Sequence, residues 1–462
     1  LEARGEKLSL VDFIPSPIPD EENFFMSPLF VDMFKPPYHS LEGGFGVEQM
    51  KIKAIGEGEG HYIISGTKDP RDAKGLTNLN AFAARLRTET NKNQSAFKVI
   101  ISAFEARQDL WNALYKAAEK PDARFPTQYE KNYEAPLPHL SSIMSLSQML
   151  SLRSVAYMEA GDSRAAARDL RLILRLSDSL AREPLLIAAL IRFSAVQIVS
   201  LKIWEGIQRH AWSAEQLQDF EKQLALQKPR DWLTFTLRGA RGSTNAWISE
   251  VINGNKNSKK MLAGNVYGIV TKAYEQKPWW AFKQDIPWWT CLIPWDRLYS
   301  DMALNAWQVQ TYVDFLSASD GVGINVGNIP KELNTNVSWR YPLLHWGLGS
   351  LGNDADAWFP RKYALIQVSL DMARIACALE CYRLANGAYP EKLDALVPQY
   401  IQKLPNDVAS GKSYHYRRNA SDNFTLWSVG YDGVDDHATP VVREHKEGDL
   451  RKGDWVWGKP MY

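Results

Sequence analysis

The sequence is short of cysteine: 462 residues carry only Cys291, Cys377 and Cys381. That excludes a small cross-linked scaffold whose fold depends on many disulfides. Cys377 and Cys381 stand four apart, so on a helix they share a face, where side chains stack along the axis and do not meet. They read as small buried hydrophobes. No uninterrupted apolar run of about 18 residues occurs, so no segment reads as a membrane span. No block of one charge sign stands out either. Lys and Arg number 54 against 53 Asp and Glu, a formal net charge of +1. The basic footprint of a nucleic-acid binder is therefore missing.

Catalytic signatures are missing as well. There is no P-loop, HExxH, CxxC or GxSxG. The eight histidines (39, 61, 139, 210, 345, 415, 437 and 445) never fall at metal-ligand spacing. Asp285 and Asp296 flank an aromatic stretch, where a glycosidase-type carboxylate pair would sit, but a chain of this size offers many such pairs.

What is present is ordinary in bulk: 45% hydrophobic and 23% charged residues suit a soluble globular protein with two or three domains. The opening LEARGEKLSL is charged and lacks a signal-peptide pattern. The expectation is a processed or truncated N-terminus from which an anchor or targeting segment has been lost.

Residues 1–76 read as an extended arm. FIPSPIPDEENFF and FKPPYHSLEGGFG are punctuated by prolines that disfavour helix. Residues 47–66 add a short strand pair around Gly-Glu-Gly. Residues 77–320 read as a helical bundle. The segment 97–120 carries one apolar stripe at 3–4 spacing. In 141–180, Gly161 ends one helix and Asp162 or Ser163 caps the next. The motif AYMEAGDSRAAARDLRLIL resembles one hairpin of a tetratricopeptide-type repeat, with no second copy at a fixed period.

PLLIAALIRFSAVQIVSLKIW (184–204) starts with a first-turn proline and is apolar nearly all round. Arg192, Gln197 and Lys202 interrupt it, so it reads as the central buried helix, with Arg192 paired to an internal carboxylate or snorkelling. His210 helps end that helix. Ser213 and Gln216 form a capping-box pattern. Within the bundle, KPWWAFKQDIPWWTCLIPW (277–295) breaks six aromatic residues with three prolines. Trp279, Trp280, Trp288, Trp289 and Trp295 would make an interface anchor, a sugar-stacking platform or a packed connector. A further helix follows from Trp295 to Ser317. Residues 321–360 read as a polar linker.

The tail, 361–462, changes pattern. YALIQVSLDMARIACALECYRLANG is one long helix closed by Asn386-Gly387. KSYHYRR and NFTLWSV are strand-like runs joined by a polar loop. The fold class is thus α+β, mainly α: a helical bundle, then a long helix packed on a small antiparallel sheet. Four phrases of the tail, ALECYRLANGAYPEKLDALV, YIQKLPNDVASGKSYHYRR, SVGYDGVDD and GDW, resemble the globular part of the major pseudopilin of type II secretion systems. The whole chain looks like large bacterial envelope proteins carrying such a module.

In that family the helix begins with a very hydrophobic stem that anchors and polymerises the pilin. Here WFPRKYALIQ stands in its place, so filament assembly by that route is not implied. The resemblance also implies a calcium ion in the loop after the long strand, with Asp432, Asp435 and Asp436 as ligands and a later carboxylate from Asp449 or Asp454. Calcium wants six to eight hard oxygens, which a glycine-bent loop supplies. His437, Arg443, Lys446, Arg451 and Lys452 are the alternative, neutralising the aspartates without metal.

Together these features lead to an expectation of a non-enzymatic scaffold or assembly subunit of the bacterial envelope. It would sit in the periplasm or at the cell surface and act through protein partners or self-assembly. A carbohydrate-binding or carbohydrate-acting protein using the tryptophan loop is one alternative, and a secretion-associated adaptor is another.

Overall fold

Apolar stripes at helical spacing need partners, and in the computed structural model they find them in one another. The structure describes residues 1–31, 75–88, 90–253, 295–317, 355–440 and 453–459. The strand pair expected at 47–66 and most of the 321–360 linker lie outside them. Among the described residues ten α-helices of two or more turns precede or flank a three-stranded sheet. They are α1 (Leu79–Leu86), α2 (Ala96–Glu105), α3 (Gln108–Ala118), α4 (Pro138–Glu159), α5 (Ser163–Asp178), α6 (Leu186–Gln208), α7 (Ala214–Ala225), α8 (Pro229–Ile252), α9 (Trp295–Ser317) and α10 (Ala355–Asn386). The strands are β1 (His415–Ala420), β2 (Asn423–Ser428) and β3 (Trp455–Val456). The chain is α+β and mainly α.

The helical hairpin forms where its turn residues put it. Gly161 takes φ 81°, a left-handed value that glycine adopts without strain, and the Asp162 side chain accepts the N–H of Ala165 to cap α5. Helices α4 and α5 then pack along their length. The Ser213–Gln216 capping box at the start of α7 has both of its reciprocal bonds.

Three local expectations are corrected. The stripe 97–120 is two helices: the chain leaves α2 at Ala106, and Arg107 adopts φ −125°, ψ 40°. The corner is held because the Trp111 indole donates to the Phe104 carbonyl at 2.9 Å, closing an orphaned helix end. Pro184 stands before α6, since Leu185 is extended (φ −107°, ψ 130°). The carbonyl of Pro184 instead lies so close to α8 that a Cβ on Gly239 would meet it at 2.1 Å. Helix α10 starts at Ala355 and runs through Pro360, eight residues ahead of the expected Tyr363.

Helix α6 is the axis of the body. It contacts α4, α5, α8 and α10. By length and composition it is the one described helix apolar enough to cross a membrane, with a mean hydropathy of 1.8, and 61% of that window is buried inside the protein. Its charges are all paired. Arg192 reaches Asp178 at 3.3 Å and stacks over Trp232 at 3.7 Å. Lys202 donates to Glu205 (2.9 Å) and to the Thr77 hydroxyl (2.6 Å). Burial alone would push the Glu205 carboxyl up, but Lys202, the Thr77 N–H and Arg209 outweigh it and hold it near 2.

A second sealed ion pair joins α4 to α5. Arg153 and Asp169 are 2% and 0% exposed and meet through two bonds of 2.8 and 2.6 Å, while Tyr115 donates to the same carboxylate at 2.6 Å.

The start of the chain lies on this body. Glu6 accepts from Arg238 and from the fully buried Arg241, each at 2.8 Å, and Arg238 above all holds its carboxyl down near 2. Phe24, Phe25 and Phe30 are fully buried in a mutual ring cluster beside Phe125.

Candidate functional site

The C-terminal module starts from the end of α10. Gly387, at φ 80°, donates its N–H to the Arg383 carbonyl and turns the chain. Tyr389 then buries its ring against Phe424 and donates to Glu380 at 2.6 Å. Strands β1 and β2 pair antiparallel with His415 opposite Trp427 and Tyr416 opposite Leu426, and β3 joins β2 through Trp427–Val456 and Ser428–Trp455. Between β2 and β3 lies the acidic loop. Its two ends touch: a Cβ on Gly430 (φ 69°) would meet the Gly453 carbonyl oxygen at 2.4 Å.

The carboxylates of Asp435, Asp454 and Asp432 have protein donors. Asp435 accepts the Trp427 indole N–H at 3.0 Å and the His437 backbone N–H at 3.0 Å; Nδ1 of His415 and of His437 stand 3.4 and 3.6 Å from its other oxygen. Trp427 first, with those partners, keeps its carboxyl below the usual range. Asp454 is 1% exposed, and its two oxygens take the N–H groups of Asp436 (3.3 Å) and Ala438 (2.7 Å). Burial raises its pKa against those two bonds. Asp432 accepts the Val434 N–H at 3.2 Å, forming an Asx turn. Asp436 contributes its carbonyl to the Thr439 hydroxyl at 2.6 Å. Among the described residues, no three His, Cys, Asp or Glu side chains form a group able to hold a metal. Asp449 lies outside the described residues.

Beneath the loop sit two acids that the sequence pattern did not single out. Asp407 is fully buried and accepts the Ser428 hydroxyl and Ala409 N–H, each at 2.9 Å, and the Val429 N–H at 3.3 Å. It fixes the end of β2 where the acidic loop begins. Asp371, on α10, accepts from Gln367 (3.1 Å) and Tyr414 (3.2 Å). Burial pushes its carboxyl up to about 7. The Pro-Asn-Asp turn was a visible signal for Asp407. Nothing local marks Asp371, whose hydroxyl partner is 43 residues away.

The module shares a seam with the body. From Tyr363 to Leu379 nearly every apolar side chain of α10 is buried, and the helix contacts α6, α7 and α8. Arg374 binds Glu221 of α7 at 2.8 Å, and the buried thiol of Cys381 points at the Ala214 carbonyl, 3.6 Å away. Cys377 and Cys381 are both free, and burial raises both thiols, the second to about 12. His210, at φ 51° just past α6, faces Glu380 of α10 at 3.7 Å.

The end of the module also docks on the body. A Cβ at Gly458 (φ 77°) would lie 2.1 Å from the Trp204 indole nitrogen. Gly458→Ala should therefore cost about 1–3 kcal/mol in overpacking, beyond the backbone strain of roughly 1–2 kcal/mol. Hydrogen exchange would read it as faster amide exchange at Trp455–Lys459. Gly433→Ala shares the positive φ (71°) but meets open space, so it should pay the strain alone.

Of the aromatic loop, Trp279, Trp280, Trp288 and Trp289 lie outside the described residues, as does Asp285. Trp295 opens α9, but neither its side chain nor that of Asp296 is among those described.

Comparison with known proteins places one part of the chain. No curated protein and no solved structure matches it. Residues 362–440 match a family model described as Type II secretion system (T2SS), protein G. That span covers α10 from Lys362, the β1–β2 hairpin and the acidic loop up to Pro440, so this chain carries a protein G-like, pseudopilin-type segment behind its helical body.

Proposed function

We propose that this protein is a non-enzymatic assembly subunit of a secretion-related apparatus of the bacterial envelope, acting through protein–protein contacts from outside the cytoplasm. One observation carries the reading. The stretch of α10 from Tyr363 to Leu379, which in a pseudopilin would continue from the exposed, polymerising stem, is buried inside this chain, against α6, α7 and α8. Its apolar surface is spent on holding the module to the body. Contacts with other proteins therefore fall to the outer surfaces of the module and body, and the module is presented as a fixed head.

The test uses the full chain. Photo-reactive residues at Asn419 on β1 and at the exposed Leu384 and Val434 should yield, in cells, adducts with an envelope or secretion component, or with a second copy. Sedimentation from micromolar to near-millimolar concentration gives the self-assembly arm. Absence of any adduct, together with a strict monomer throughout, would remove the proposal.

A further inference from the structure

The stretch Glu6–Leu10 lies against α8 and α9 as an extended segment. Its exposure alternates as in a strand: Glu6 and Leu8 are half-buried and Leu10 is buried, while Lys7, Ser9 and Val11 are exposed. The body holds it by side chains. Arg238 and Arg241 of α8 grip the Glu6 carboxylate, each at 2.8 Å, and Arg241 also donates to the Lys7 carbonyl at 2.7 Å. Asn245 donates to the Leu8 carbonyl at 3.2 Å. Gln310 of α9 accepts from Arg241 at 2.8 Å and donates to Glu6 at 3.4 Å and to Asp314 at 2.8 Å. Gly242 leaves room for the backbone, since a Cβ there would meet the Leu10 nitrogen at 2.6 Å. Among the described residues no backbone–backbone hydrogen bond joins residues 6–10 to either helix. The segment is thus seated as a ligand is, by one carboxylate, two carbonyls and a leucine side chain.

Two atoms of this groove are left unmet. Arg241 Nε and Asn245 Oδ1 are buried with no hydrogen-bond partner. The Arg241 side chain is 0% exposed, and a guanidinium so placed needs an anion beside it. Whatever displaces Glu6 must therefore bring a carboxylate of its own. We infer that the α8–α9 groove is a peptide-binding site for a partner protein, with the chain's own Glu6–Leu10 as its resident occupant. The segment it fits is extended and carries a glutamate with a leucine four residues on. A partner segment that also presents an acceptor to Arg241 Nε and an N–H to Asn245 Oδ1 is held by two bonds that the chain's own segment does not make, which sets a partner above a second copy of this chain. The groove is built by the body, so this inference stands apart from the assembly reading of the module.

The experiment titrates a fluorescein-labelled peptide, LEARGEKLSLVDF, against the full chain and reads anisotropy. In the parent the tethered segment competes at an effective concentration of about a millimolar, so binding in trans is weak. The double variant Glu6→Gln with Leu10→Ser loosens that segment and should bind the peptide saturably, at least about tenfold more tightly than the parent. Glu6→Gln alone, the milder change, should fall between them. A peptide that itself carries Glu6→Gln should bind the double variant at least about tenfold more weakly, because it brings no charge to Arg238 and Arg241. Parent and double variant, mixed well below the effective concentration, should not pair in sedimentation. Absence of saturable binding by both variants, equal affinity of parent and variants, or equal binding of the two peptides would each overturn the inference. Pairing of the two chains would give the groove to a second copy and overturn the choice of occupant.

Discussion

Asp169→Ala should destabilise the helical body by about 3–5 kcal/mol, the usual cost of stranding one partner of a buried ion pair. The Arg153 guanidinium, whose side chain is 2% exposed in the parent, would remain between α4 and α5 without its carboxylate. Its remaining contacts are the Tyr115 hydroxyl at 2.7 Å and the Trp111 face at 4.1 Å, which do not neutralise a charge. The cost comes from desolvation and not from loss of a favourable bond. The paired change Arg153→Met with Asp169→Leu should thus recover most of it, because two apolar groups fill the same space without an unpaired charge. Urea unfolding followed by far-ultraviolet dichroism distinguishes the two. If the double variant is as unstable as Asp169→Ala, packing and not charge is what the site supplies.

The second large effect depends on pH. Asp371 has a folded pKa of about 7 against an ordinary value of 3.8, raised first by burial. The folded state therefore binds its proton more tightly than the unfolded chain does. The stability this contributes is fully present below 3.8 and is lost as pH rises to about 7. Proton affinity at this carboxyl differs roughly a thousandfold between the two states, which corresponds to about 4 kcal/mol. Asp371→Asn keeps the shape and the partners Gln367 and Tyr414 while removing the titration. At about pH 8 the variant should melt several degrees above the parent, and at about pH 5 the gain should shrink sharply. A gain equal at both pH values would show that ionisation of this carboxyl is not the cause.

These two sites also mark what the sequence could show. Turns and caps were legible because their chemistry is local: Gly161 with Asp162, Ser213 with Gln216, Asn386 with Gly387, and the hairpin around Ser421-Asp422. Helix α6 was legible from its nearly unbroken apolar surface, and of the two readings of Arg192 the structure favours the one that reaches outward, since its partner Asp178 is exposed. Partners of other buried charges were not, because they are distant in the chain. Thr77 is 128 residues from Glu205, and Tyr414 is 43 from Asp371. In the acidic loop the sequence named Asp435 and its neighbour His437. It held no sign of His415, which reaches that carboxylate only because β1 pairs with β2 in a register that sets it opposite Trp427. The α2–α3 corner was hidden for a similar reason. The apolar stripe continues through Arg107, and what breaks the helix there is an indole closing back onto Phe104.

The position of α10 has a consequence for synthesis. Helix α6 is complete at Gln208, but α10 ends only at Asn386, 178 residues later. At about 5–20 residues per second, ribosomes take roughly 10–35 s to make that stretch. Until α10 is made, the side of α6 that it will cover, and those of α7 and α8 once they are complete, have no permanent neighbour. The nascent chain thus spends much of its birth with a greasy groove open, and α10 is what closes it.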